Sequence, residues 1–146
     1  MSLTITLDVE LTRRAQLPER LTFVEAPPGM AALTGFDVSA LDEAGLLFAL
    51  RASEQPDTRL FAVPPRPYFP TYQPRLSEDA REAIGLGDDE EPVLLVIVHP
   101  GADAAHTANL LAPVAVNPRT GSAAQVVLDD GDWPLRAPLG AAAEPA

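Results

Sequence analysis

Cysteine and lysine are both absent from the 146-residue sequence, histidine occurs twice and tryptophan once. Without cysteine the chain forms no disulfide and offers no thiolate to a metal. Without lysine there is no Gly-rich loop ending in Lys-Ser or Lys-Thr, and no Gly-x-Ser-x-Gly turn presents a nucleophilic serine. No apolar run approaches the ~18 residues of a membrane span, and the start, MSLTITLDVEL, lacks a basic segment and a long apolar one. A cytoplasmic location away from membranes is therefore expected. Positive charge is scarce as well. Against 21 acidic residues stand 10 basic ones, all arginine, for a formal charge of −11. That balance disfavours direct nucleic-acid binding, which depends on Lys and Arg neutralising phosphates, and it steers a basic protein toward the chain.

What remains is apolar and rich in turns. Hydrophobic residues make up 47% and there are 16 prolines. A chain of this length buries about two-thirds of its unfolded surface as one domain. The expectation is a single, mostly β domain with many loops. Residues 3–12 alternate strictly, with Leu3, Ile5, Leu7, Val9 and Leu11 on one face, as in a half-buried strand. A short strand is expected around Leu21 and Phe23, and a loop with one helical turn after Ser39 for residues 30–42. The apolar run 46–50 reads as a strand covered on both faces, with 59–63 as its antiparallel neighbour. Five prolines among residues 64–74 exclude a central strand. This stretch is expected to be an extended surface loop carrying Tyr68, Phe69 and Tyr72. Residues 77–84 form the one helix, capped by Ser77 and closed by Gly85, with Leu76, Ala80, Ala83 and Ile84 as its apolar stripe. Glu78 and Arg81 stand three apart on that helix, close enough to pair. Four carboxylates at 88–91 then read as a solvated linker before the aliphatic strand 93–98.

The centre of the pattern is residues 107–128, TANLLAPVAVNPRTGSAAQVVL. Two apolar runs, 110–116 and 126–128, flank Asn117, Pro118 and Gly121, which predicts a β-hairpin with a bulge at Gly121. Pro113 donates no ladder hydrogen bond, so its strand is expected at a sheet edge that a partner can use. Asn109 sits beside that strand, where its amide must be used; a hydrogen bond holding the adjoining loop is at least as good a reading as a partner contact.

Candidate chemistry is sparse. His99, Asp103 and His106 fall within eight residues and can be read as ligands of a small metal-dependent hydrolase. They lie in a Gly- and Ala-rich loop with no fourth ligand nearby, which favours surface histidines. No other catalytic pattern is visible.

Four segments together resemble the family of the flagellar assembly factor FliW. They are Pro67 to Tyr72, Val96 to Val98, Thr107 to Asn117 with Gln125 to Leu128, and Arg136 to Leu139. The resemblance extends over roughly residues 59–139. Three departures stand out. Residues 26–31 read Ala-Pro-Pro-Gly-Met-Ala where the family has G-x-P-G-F-E, Thr71 replaces an aspartate, and Ala137 replaces a histidine. The resemblance implies a small antiparallel β-barrel-like domain with one short helix over residues 1–139, followed by a disordered tail at 140–146. It implies a non-enzymatic protein without cofactor. Such a protein binds the basic, homodimeric translational regulator CsrA, antagonises it, and is itself bound by flagellin. A protein acting only as a flagellin chaperone is a narrower version of the same role. The partner-binding residues expected are Tyr68, Phe69, Tyr72, Asn109 and Pro113, with Tyr72 expected to be less buried than Phe69.

Overall fold

The computed structural model describes residues 17–27, 30, 32–87, 89–100, 106–128 and 132–139. The strand expected at 3–12, the tail at 140–146, Asp88 and Asp103 lie outside the described residues. Nine strands and one helix are found among the residues described: β1 (Arg20–Phe23), β2 (Gly35–Ala40), β3 (Phe48–Ala52), β4 (Arg59–Val63), α1 (Glu78–Ala83), β5 (Val93–His99), β6 (Thr107–Ala108), β7 (Val114–Val116), β8 (Ser122–Gln125) and β9 (Ala137–Pro138). Seven strands close a barrel in the order β4-β3-β2-β1-β8-β7-β5, with β5 returning to β4. Every pair in the ring is antiparallel except β1 with β8, which closes it in parallel. β6 and β9 form a short flap beside the end of β5.

Alternation explains the barrel wall. Leu21, Phe23, Phe36, Phe48, Leu50, Ala52, Ala62, Leu95, Ile97, Val114 and Val116 fill the interior, with Val38 and Leu60 packed against them. β2 corrects the loop expected at 30–42. Gly35, Asp37 and Ser39 disguise the strand in sequence, yet Phe36 and Val38 point inward and both edges of β2 are paired. β3 likewise lies two residues later than the run 46–50.

β5 carries apolar side chains on both faces because both faces are covered. Leu95 and Ile97 face the interior. Val96 and Val98 lie under Tyr72, Leu110, Leu128 and Ala137, and Leu94 lies beside Ile84, Leu86, Ala115 and Ala124. The outer layer is made by the proline segment, the region around α1 and the C-terminal stretch. α1 starts at Ser77, whose side chain accepts from Ala80 N at 3.1 Å, and the chain turns at Gly85 with φ +76°. The expected stripe holds only at its ends: α1 itself buries no residue, and Leu76 before it with Ile84 and Leu86 after it carry the apolar contact.

The hairpin forms, with shifted strands. β7 begins only at Val114 and β8 ends at Gln125, so 110–113 and 126–128 fall outside the strands. Ala108 faces Val98 while Val114 faces Leu95, so three extra residues are looped out between β6 and β7. Asn109 holds that loop: its Oδ1 accepts from Leu111 N at 3.1 Å and Ala112 N at 3.0 Å. Pro113 is fully buried, and β7 lies between β5 and β8. The edge expected at Pro113 is absent, because the missing donor is absorbed by the loop rather than by an open strand.

Candidate partner-binding surface

The segment 64–74 folds back on itself instead of running extended. Tyr68 N and Phe69 N both donate to Pro65 O, and Tyr72 N donates to Phe69 O. Two successive turns bring the aromatics onto the outer face of β4 and β5, where an extended chain would hold them in water. Tyr72 goes deepest, at 2% exposure, and its hydroxyl donates to Leu110 O at 2.6 Å. Its ring meets Trp133 edge-on, 4.8 Å between centroids. Tyr68 and Phe69 are half-buried. The expected order of exposure is thus reversed, since Tyr72 has an acceptor within reach and loses nothing by burial. Tyr68 donates to Leu46 O at 3.0 Å, and burial first, then the Asp42 charge, push its phenol above the usual range.

Of the five expected contact residues, Tyr72, Asn109 and Pro113 are buried. Asn109 holds the loop 109–112, and Tyr72 ties the segment that carries Tyr68 and Phe69 to it through Leu110 O. Asn109→Ala is expected to cost about 1–3 kcal/mol, because it strands the buried Ala112 N–H and the part-buried Leu111 N–H. A denaturant titration checks this, and an unchanged midpoint would show that the loop holds without the amide.

A second knot is centred on Asn117, which in the sequence reads only as a turn residue. Asn117 is 1% exposed; its Nδ2 donates to Ile84 O at 2.9 Å and its Oδ1 accepts from Arg119 N at 2.9 Å. Arg119 then grips Glu90, with Nε 3.1 Å from Oε2, while Glu90 Oε1 accepts from Gly87 N at 2.7 Å. Arg81 donates to the carbonyls of Gly87 and Glu90, both at 2.6 Å. Glu90 is therefore not a purely solvated linker charge. The Arg119 hydrogen bond, then the Gly87 N–H, hold its carboxyl below the usual range. The only signal in sequence was the turn chemistry of Asn117; its reach to Ile84 spans 33 residues.

Between the proline segment and the start of β5 lies a cleft of about 900 Å3, lined by Leu46, Phe48, Tyr72 and Leu94, with Arg66 and Arg75 also on its wall. The histidines do not assemble a centre. His99 ends β5 and His106 precedes β6, and among the described residues no three His, Asp or Glu side chains are grouped to hold a metal. The metal-dependent hydrolase reading has no support.

These features define a class: a small closed β-barrel with an apolar interior, whose hydrogen-bonding side chains lock loops onto the outer wall. Comparison with known proteins narrows it. Residues 8–139 match the FliW protein family. The flagellar assembly factor FliW of Syntrophotalea carbinolica is 35% identical over 119 residues, covering 80% of this chain and 84% of the relative. The Bacillus subtilis factor of the same name is 29% identical over 123 residues, covering 82% and 85%. A crystal structure of the flagellar assembly factor FliW superimposes with a TM-score of 0.75 at 24% identity, over 82% of this chain and 84% of that one, and so matches in fold. The chain belongs to the FliW family of flagellar assembly factors.

Proposed function

We propose that this protein is a non-catalytic switch in flagellar assembly, which binds and antagonises the translational regulator CsrA and is itself bound by flagellin. Flagellin level would thereby be coupled to flagellin translation in the cytoplasm. Family membership supports the setting, and the observation that carries the choice of partner is the charge of −11. A basic CsrA dimer meeting this chain gains in encounter rate from long-range attraction. Tyr68 and Phe69 are the contact residues of choice, because they keep exposed area on a backbone stiffened by proline and turns. Among the described residues no helix is long and apolar enough to cross a membrane.

The test is to mix the purified protein with CsrA and with flagellin, separately and together, and to size the products. Binary complexes with each partner and none containing both are expected. A stable ternary complex would sink the switch, and binding to flagellin alone would leave a chaperone. Stopped-flow association with CsrA is expected to slow as salt rises, since the Debye length falls from about 30 Å at 0.01 M to about 8 Å at 0.15 M. A salt-independent rate removes steering from the account.

A further inference from the structure

Four charged residues on successive strands form one row across the outer wall of the barrel. Arg20 in β1 faces Asp37 in β2, Asp37 faces Arg51 in β3, and Arg51 faces Arg59 in β4. Their chain neighbours Leu21, Phe36, Leu50 and Leu60 belong to the interior cluster, so alternation turns the four charged side chains outward, and all four residues are exposed. Asp37 is already engaged: Arg20 Nε lies 3.5 Å from Oδ1 and Ser53 Oγ donates to Oδ2 at 3.3 Å. Arg51 and Arg59 are not. Among the described residues neither makes an ion pair or hydrogen bond, although Glu54 and Asp57 lie in the turn that joins their strands.

Directly opposed side chains on antiparallel strands stand about 5 Å apart at Cβ, a distance at which like charges repel. Two unmatched guanidiniums so placed, in a chain with twice as many acids as bases, make a local field opposite in sign to the net charge. The surroundings are not purely polar either. Arg59 Cζ lies 5.3 Å from the centroid of the Phe61 ring, and Phe61, half-buried, faces Ala49 on the same outer side. A cation held over an aromatic face is partly immobilised before any ligand arrives.

We propose that Arg51 and Arg59, with the half-buried ring of Phe61 beside them, dock an acidic peptide segment of a partner protein. One carboxylate bridges the two guanidiniums, each of which offers a planar fork matched to it, and an adjoining apolar side chain rests on Phe61. Nucleic acid fits less well. Its recognition spreads over many phosphates, whereas here the arginine pair is bordered by Asp37 and the rest of the chain repels a polyanion. This surface has the wrong sign for a basic partner, so it stands apart from the CsrA reading and does not depend on it.

The test is an NMR titration of the full-length chain with a short synthetic peptide of glutamates flanking one leucine. Amide shifts confined to residues 49–51 and 59–61 are expected. The R51S/R59S double variant is expected to bind roughly fivefold or more weakly, through loss of charge-assisted hydrogen bonds, while R136S binds as the parent does. Arg59→Lys keeps the charge but loses the fork, so it is expected to fall between the two; it carries the reading if the double variant folds poorly. Shifts elsewhere, equal affinity of all variants, or displacement of the peptide by an equimolar thymidine oligonucleotide would overturn the proposal.

Discussion

Tyr72→Ala is expected to remove about 3–5 kcal/mol of stability, the cost typical of truncating a buried aromatic side chain. The ring fills the space between Trp133 and the outer face of β4 and β5, and its hydroxyl satisfies Leu110 O inside the same cluster. Truncation therefore opens a cavity and strands a buried carbonyl together. Against a total of roughly 5–15 kcal/mol for a domain, the loss is large. At about 2–4 °C per kcal/mol for a chain near this length, the melting temperature falls by roughly 6–20 °C. Tyr72→Phe separates the two parts, since it keeps the ring and loses only the hydrogen bond, at about 1–2 kcal/mol. Thermal denaturation of both variants decides the matter. A melting temperature unchanged in Tyr72→Ala, with partner binding lost, would return the residue to the contact surface.

Gly121→Ala is expected to cost about 2–4 kcal/mol, combining a left-handed backbone with overpacking. Gly121 has φ +84°, and a Cβ built on it meets Arg20 O at 2.7 Å. The obstacle is backbone, which has no rotamer by which to yield. The place is also where the barrel closes: Thr22 N donates to Gly121 O at 2.9 Å, beside the parallel pairing of Thr22 with Ser122. Pushing β1 away strains the parallel seam, which is the shortest pairing in the ring. Denaturant unfolding followed by hydrogen exchange at Thr22 and Val24 checks both effects. Full stability with unchanged exchange would mean that the seam relaxes without cost. Gly85, also at positive φ, meets only the Asn117 side-chain nitrogen at 3.7 Å, so alanine there carries the backbone strain without the collision.

Several features were determined by the sequence alone, because their causes are local. Ser77, Glu78 and Asp79 mark the start of α1, and Gly85 marks the turn after it. Asn117 to Gly121 makes the hairpin turn, with Asn117 O accepting from Gly121 N at 2.8 Å. The aliphatic run at β5 announces a strand covered on both sides, and the matched block at 107–117 carried the family. Other features were decided only by the tertiary structure. β2 is a strand because β1 and β3 supply its hydrogen bonds; its own residues, Gly35, Asp37 and Ser39 among them, are weak strand formers. Whether Tyr72 or Phe69 faces inward depends on an acceptor 38 residues away. Pro113 reads as an edge residue until Asn109 gathers the loop before it and lets the proline enter the core. The charged row exists only once four strands lie in register, since residues 20, 37, 51 and 59 share no spacing in the chain. Local rules set turns and caps through one residue's conformation, whereas burial and charge juxtaposition depend on which distant partner a strand finds.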